Sequence, residues 1–145
     1  MKRGAATKMN CLTMDMGQEM IGKILGIVSQ DGGKPIAICV CDHGGTVAGS
    51  VRMDGVPARS VHLAWHKAYT AMRMQTTTAL FMARLEREKA DIAFFCDSRL
   101  TPFPGGAPIF GAGGEVIGAV GVSGRSSEED QHLADIAAAM SSARR

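Results

Sequence analysis

At 145 residues, with 46% hydrophobic and 21% charged side chains, the chain is long enough for one cored domain and too short for two comfortable ones. Sixteen basic residues against fourteen acidic ones leave a formal net charge of +2, which provides no field that would argue for nucleic acid. No stretch approaches the run of about 20 apolar residues that a membrane span needs, so both nucleic acid and membrane are set aside as partners.

Residues 1–12 have no clear period and read as a flexible lead-in to a single domain over 13–145. They contain basic groups but no apolar signal core, so the expected location is the cytoplasm, where Cys11, Cys39, Cys41 and Cys96 are free thiols by default. From Thr13, a plausible N-cap, the residues Met16, Met20, Ile21, Ile24, Leu25 and Val28 recur at three- and four-residue steps. They mark one face of a helix that stops before Asp31-Gly32-Gly33. The run Ile36–Cys41 is apolar throughout and suits a buried strand. A turn over Asp42–Gly45 and a second strand over Thr46–Met53 complete an antiparallel hairpin.

Val61, Ala64, Trp65, Ala68, Tyr69 and Met72 return to helical spacing between residues 58 and 75, and a third helix is expected over 76–89. Ile92–Cys96 reads as a short edge strand, and 97–106, with two prolines and two glycines, as an irregular loop. A second hairpin is expected from 107–111 and 115–123. The glycines of its longer arm, Gly118 and Gly121, imply that something packs close to the backbone. Ser126 with Glu129 forms a capping-box pattern ahead of a terminal helix. The order α-β-β-α-α-loop-β-β-α describes an α+β protein, an antiparallel sheet with helices packed on it.

Several motifs form an ordered set: Asp42-x-Gly44-Gly45, Arg52-Met53-Asp54-Gly55, Lys67-Ala68-Tyr69-Thr70-Ala71, Gly105-Gly106-Ala107-Pro108 and Gly118-Ala119-Val120-Gly121-Val122-Ser123-Gly124. This set resembles the GlcG/HbpS-like family, also called the haem-degrading-domain family, which includes a domain appended to some corrinoid adenosyltransferases. The resemblance runs from about Gly17 to Met140. It implies a profilin-like α+β fold, assembly into homo-oligomers and, as in some relatives, a bound haem or corrinoid.

Each candidate has a functional and a structural reading. Arg52 and Asp54, two apart in an extended segment, share a face where they either pair or grip an anionic group. Lys67 either meets a ligand carboxylate or subunit contact, or snorkels at the surface. His62 and His66 stand at i and i+4, so one helical face holds two imidazoles that could serve a metal or a haem iron. The residues between them, Leu63, Ala64 and Trp65, lack the glutamate of a zinc-peptidase motif. The helix over 13–30 contains no histidine, so the axial ligand used by some relatives there has no counterpart. Gly105 and Gly106 either shape a ligand rim or form a stiff loop, and Ser123 is a candidate hydrogen-bond partner. Cys39 and Cys41 share one side of a strand and, with Cys96, provide a second metal possibility beside their role as small apolar residues. Asp130 is accounted for by the dipole of the last helix.

The leading expectation is a small-molecule-binding accessory or sensor protein, with haem or another tetrapyrrole as ligand because the resemblance points there. Arg52, Asp54, Lys67, Gly105, Gly106 and Ser123 would contact the ligand, and His62 or His66 would face the metal. The alternatives are a small catabolic enzyme or reactivating factor acting on an organic acid or corrinoid, with Asp54 or His43 as acid-base group, and a structural homo-oligomer.

Overall fold

A computed structural model describes residues 11–142. The lead-in expected over 1–12 lies outside the described residues except for Cys11 and Leu12, and Leu12 packs against the core. The elements follow in the order α1 (Met14–Asp31), β1 (Ala37–Asp42), β2 (Val47–Arg52), α2 (Ala58–Met74), α3 (Thr78–Glu88), a 3-10 turn (Ile92–Phe95), β3 (Gly106–Phe110), β4 (Val116–Ser123) and α4 (Ser127–Ser142). The four strands are antiparallel in the spatial order β2-β1-β4-β3. The two hairpins are thus joined through β1 and β4, which places the continuous apolar run of β1 at the centre of the sheet.

Helices cover both faces. On one side, Ile36, Ile38 and Val40 join Val120 and Val122 under α1 and α4, which contribute Met20, Ile21, Ile24, Leu133 and Ala137. Each fully buried Ile or Val here is worth about 1.5–3 kcal/mol relative to exposure. On the other side, Ala37, Cys39 and Cys41 face α2, which runs over β4, β1 and β3 and scarcely touches β2. Gly121 allows this close approach, because a Cβ there would run into the backbone carbonyl of Ala64 on α2.

Local signals close the elements. The Thr13 hydroxyl accepts the Met16 N–H at 3.1 Å, and Ser126 Oγ accepts the Glu129 N–H at 3.2 Å as the capping box requires. The Asp42 carboxylate accepts N–H groups from Gly44 and Thr46, forming the Asx cap of the first hairpin. The boundary between α2 and α3 falls at Gln75, which takes a left-handed conformation, and Thr77 caps α3.

The segment 92–96 departs from expectation: it is a 3-10 turn rather than an edge strand. Asp91 accepts the Ala93 N–H at 2.8 Å and initiates the turn. Ile92 and Phe95 then point to the core while Ala93 and Phe94 are exposed, a spacing of three where a strand needs two. Phe95 meets Phe81 edge to face at 5.4 Å.

Candidate functional site

The family motifs converge on the α2 side of the sheet, where they separate into a closed polar knot and an open shelf. Lys67, in the middle of α2, is the centre of the knot and is only 3% exposed. Its Nζ donates to the Val122 carbonyl at 2.9 Å and to Asp130 Oδ2 at 3.1 Å. Asp130 lies at the start of α4, and its other oxygen accepts the Arg125 N–H at 3.0 Å. Burial pushes the Lys67 ammonium below its ordinary value and the Asp130 carboxyl above its own, and each partner offsets part of the other's penalty.

The Gly105-Gly106 bend closes over this pair. Gly105, at φ +132°, would bring a Cβ within 2.8 Å of Lys67 Nζ and 2.5 Å of the Val122 carbonyl, so only glycine fits. The two glycine N–H groups do not face a ligand. Gly105 donates to Gln131 Oε1 at 2.8 Å and Gly106 to Thr78 Oγ1 at 2.8 Å, while Gln131 Nε2 returns a bond to the Gly106 carbonyl at 2.9 Å. Lys67, Gly105 and Gly106 are therefore brought together, but their polar groups bind Val122, Asp130, Gln131 and Thr78. Sequence reasoning missed the last two and read Asp130 as a dipole residue. Their role depends on burial between α2, α3 and α4, which no local pattern announces.

The shelf lies on β2. Because α2 stops short of this strand, Ala48, Ser50 and Arg52 are exposed. They share a face with Cys39 and Ala37, their cross-strand neighbours. Ser123, Ala37 and Arg52 stand in one row across β4, β1 and β2, which puts the Arg52 Cα about 10 Å from that of Ser123 at ordinary strand spacing. Ser123 is buried at the inner end of the row, whereas Arg52 and Asp54 are exposed. Val61 and Trp65, both half-buried, pack with Met53 and Val56 beside the strip and form its apolar wall.

His62 is exposed on α2 and His66 is half-buried, its ring edge-on to Trp65 at 4.8 Å. Among the described residues no group of three His, Cys, Asp or Glu side chains is placed to hold a metal ion. Cys39 and Cys41 are buried, and burial pushes both thiols up to about 12, so they stay protonated near neutrality. Cys96 is exposed on the loop after the 3-10 turn. That loop is tied to α2 by Tyr69, whose hydroxyl donates to Asp97 at 2.5 Å, and by Thr70, whose Oγ1 accepts the Thr101 N–H at 2.9 Å. The Arg99 guanidinium lies over the Tyr69 ring at 4.4 Å.

A four-stranded antiparallel sheet with α1 and α4 on one face and α2 on the other defines a small profilin-like α+β domain. By sequence the chain belongs to the HbpS-like family, described as haem degrading protein HbpS-like, whose model matches residues 12–139. It is 35% identical over 105 residues to a protein of Citrobacter freundii described as an uncharacterized 15.0 kDa protein in the dhaT-dhaS intergenic region, covering 71% of this chain and 73% of that one. Among solved structures it is similar to the Klebsiella pneumoniae protein ORFY, with a TM-score of 0.82, 28% identity and 91% of each chain covered. A PduOC:haem complex superposes with a TM-score of 0.78 and 26% identity, covering 89% of this chain and 94% of that one. HbpS of Streptomyces reticuli, solved as a double mutant, shares the fold with a TM-score of 0.80 and 24% identity over 90% of this chain and 86% of that one. Among the described residues, no helix is long and apolar enough to cross a membrane.

Proposed function

We propose that this protein is a cytoplasmic accessory or sensor protein that binds a flat, anionic small molecule, with haem as the foremost ligand. The observation that carries this reading is the shelf: an exposed strip of sheet with the cationic Arg52 on its floor and the apolar Val61 and Trp65 along its wall. A planar macrocycle with carboxylate arms needs that combination of apolar contact and a positively charged anchor. Support from similarity comes from the family and from the PduOC neighbour, which was solved as a haem complex.

The donor set fits haem in kind. Arg52 is an exposed guanidinium able to hold a propionate, and His62 and His66 are the imidazoles on the adjoining helix. Haem, when bound, would supply an iron centre for ligand or redox sensing. Asp54 lies exposed two residues beyond Arg52, while Lys67, Gly105 and Gly106 act from beneath by fixing α2 against β4 rather than by touching the ligand. Ser123 closes the inner end of the row.

Titration of the purified chain with haemin, followed at the Soret band, tests this reading. The expected result is a saturable, near-stoichiometric band that shifts in His62→Ala or His66→Ala. Non-saturable absorbance, indistinguishable from haemin with an unrelated protein, would overturn it and direct the search to corrinoids and small organic acids.

A further inference from the structure

The chain has one tryptophan and one tyrosine, and α2 places them together. Trp65 and Tyr69 stand at i and i+4, with ring centroids 5.7 Å apart and planes inclined at 37°. They differ in access: the Trp65 indole is half-buried beside the shelf, whereas Tyr69 is 3% exposed, next to the loop that follows the 3-10 turn. They differ also in what receives their hydrogen bond. Trp65 Nε1 donates to the Gly45 carbonyl at 3.1 Å, and a backbone carbonyl is no base. The Tyr69 hydroxyl donates at 2.5 Å to Asp97 Oδ2, a carboxylate within proton-transfer reach.

An indole that has lost one electron is a strong oxidant for as long as it keeps its N–H proton, and a phenol that loses one sheds its proton to any base in reach. The surroundings of Tyr69 enforce that departure. The Arg99 guanidinium over its ring at 4.4 Å penalises positive charge there. Asp97 pairs with Arg99 and Arg73, at 3.1 and 3.8 Å. Burial pushes its carboxyl up, but the bonds from Tyr69 and Arg99 outweigh burial and keep it ionised. Burial and the neighbouring carboxylate push the Tyr69 phenol above its ordinary value, so it stays protonated until it is oxidised. Thr70 Oγ1, which accepts the Thr101 N–H, holds the loop that carries this acceptor.

We infer that Trp65 and Tyr69 form a one-electron relay that carries an oxidising equivalent from the shelf to a tyrosyl site beside the loop. A one-electron oxidant at the shelf, of a class able to oxidise indole, takes an electron from Trp65 and is itself reduced. Trp65 regains an electron from Tyr69, whose O–H bond breaks as the proton passes to Asp97 Oδ2. The products are a neutral indole, a neutral phenoxyl radical and a carboxylic acid. A one-electron donor, a thiolate or an ascorbate-like anion, then reduces the phenoxyl oxygen while the proton returns from Asp97. One electron has passed from donor to oxidant, and the protein is unchanged.

The direction of transfer comes from the two hydrogen bonds. With only a carbonyl to bond, the oxidised Trp65 keeps its proton and its oxidising power; with a carboxylate, Tyr69 gives up electron and proton together and becomes the resting place of the radical. The relay deepens the reading of the shelf by giving it oxidative chemistry, and to that extent rests on it. Its geometry exists without a ligand, however, so a soluble photo-oxidant tests it in the ligand-free chain, and a failure of haemin binding is a separate result.

The test is flash photolysis of the full chain with tris-bipyridine ruthenium(II) as photosensitiser and hexaammineruthenium(III) as quencher, a mixture that generates a strong one-electron oxidant in solution. Transient absorption distinguishes indole from phenoxyl radicals, and with one residue of each kind every signal has one source. The indole signal should decay into a phenoxyl signal, and the handover should slow in heavy water. Asp97→Asn keeps the shape of the acceptor and removes the base, so the indole signal should persist and the phenoxyl signal should be lost. Trp65→Phe should also lose the phenoxyl signal, because Tyr69 is shielded from the oxidant. If circular dichroism shows that either variant fails to fold, the heavy-water effect in the parent decides. A phenoxyl signal that survives in folded Trp65→Phe or Asp97→Asn overturns the inference. So does an indole radical that decays in the parent without yielding phenoxyl, or a handover indifferent to heavy water.

Discussion

Lys67 Nζ lies 3.1 Å from Asp130 Oδ2 with both side chains almost fully enclosed, at 4% and 3% exposure. The pair joins the middle of α2 to the start of α4 across the end of β4, and its surroundings are backbone rather than solvent. Removing one partner leaves the other charged in a medium that cannot solvate it. Asp130→Ala is expected to cost about 3–5 kcal/mol of stability, whereas Lys67→Met combined with Asp130→Leu should cost far less. Urea unfolding of the three proteins measures the difference. Equal losses in the single and double variants would contradict the assignment of the cost to an uncompensated charge.

Close packing of α2 on β4 leads to a second expectation. At Gly121 a Cβ would collide with backbone atoms of Ala64 and Ala68, which cannot rotate away as a side chain could. Gly121→Ala should therefore lift the helix and lower stability by about 3 kcal/mol. A thermal melt within a degree of the parent would show that α2 has more room than its placement implies.

Acid stability should depend on Asp31. Arg125 donates to both its oxygens, at 2.6 and 2.8 Å, and with the Gly33 N–H holds the carboxyl at about 2, below its ordinary 3.8. A carboxyl lowered in the folded state contributes stability that is present above the unfolded value and is lost as pH falls through the folded one. The contribution should therefore disappear between about pH 4 and pH 2. Asp31→Asn should flatten that part of a melting-temperature profile and leave the slope above pH 5 unchanged.

Tyr69 carries the loop after the 3-10 turn. Its bond to Asp97 is charge-assisted: partial burial pushes that carboxyl up, but the bonds from Tyr69 and Arg99 together outweigh burial and leave it below the ordinary value. Tyr69→Phe should cost about 2 kcal/mol and speed proteolysis within 96–105. Unaltered cleavage there would show that Thr70 and Arg99 suffice to hold the loop.

At the shelf, Arg52→Ala should weaken haemin binding about tenfold, as expected for the loss of one charge-assisted bond of about 1.5 kcal/mol. The fold should be unaffected because Arg52 is exposed at the end of an edge strand. A Soret titration compares the two proteins, and unchanged affinity would remove Arg52 from the site.

Element types in this protein follow largely from local residue order. The threefold and fourfold spacing of Met20, Ile24 and Val28, the apolar run 36–41, the Asx turn at Asp42 and the capping box at Ser126 each act within a few residues, so chain order alone determined the helices, hairpins and α+β class. The segment 92–96 escaped because Asp91 initiates a turn through one side-chain bond, which outweighs the strand preference of a short apolar run. Partnership between distant residues was decided only by tertiary structure. Lys67 and Asp130 are 63 positions apart, and nothing in either neighbourhood says that one will neutralise the other. The same holds for Gly106 and its partners Thr78 and Gln131: hydropathy specifies which side chains leave water, but the hydrogen-bonding fate of a backbone group depends on which other elements the fold brings beside it.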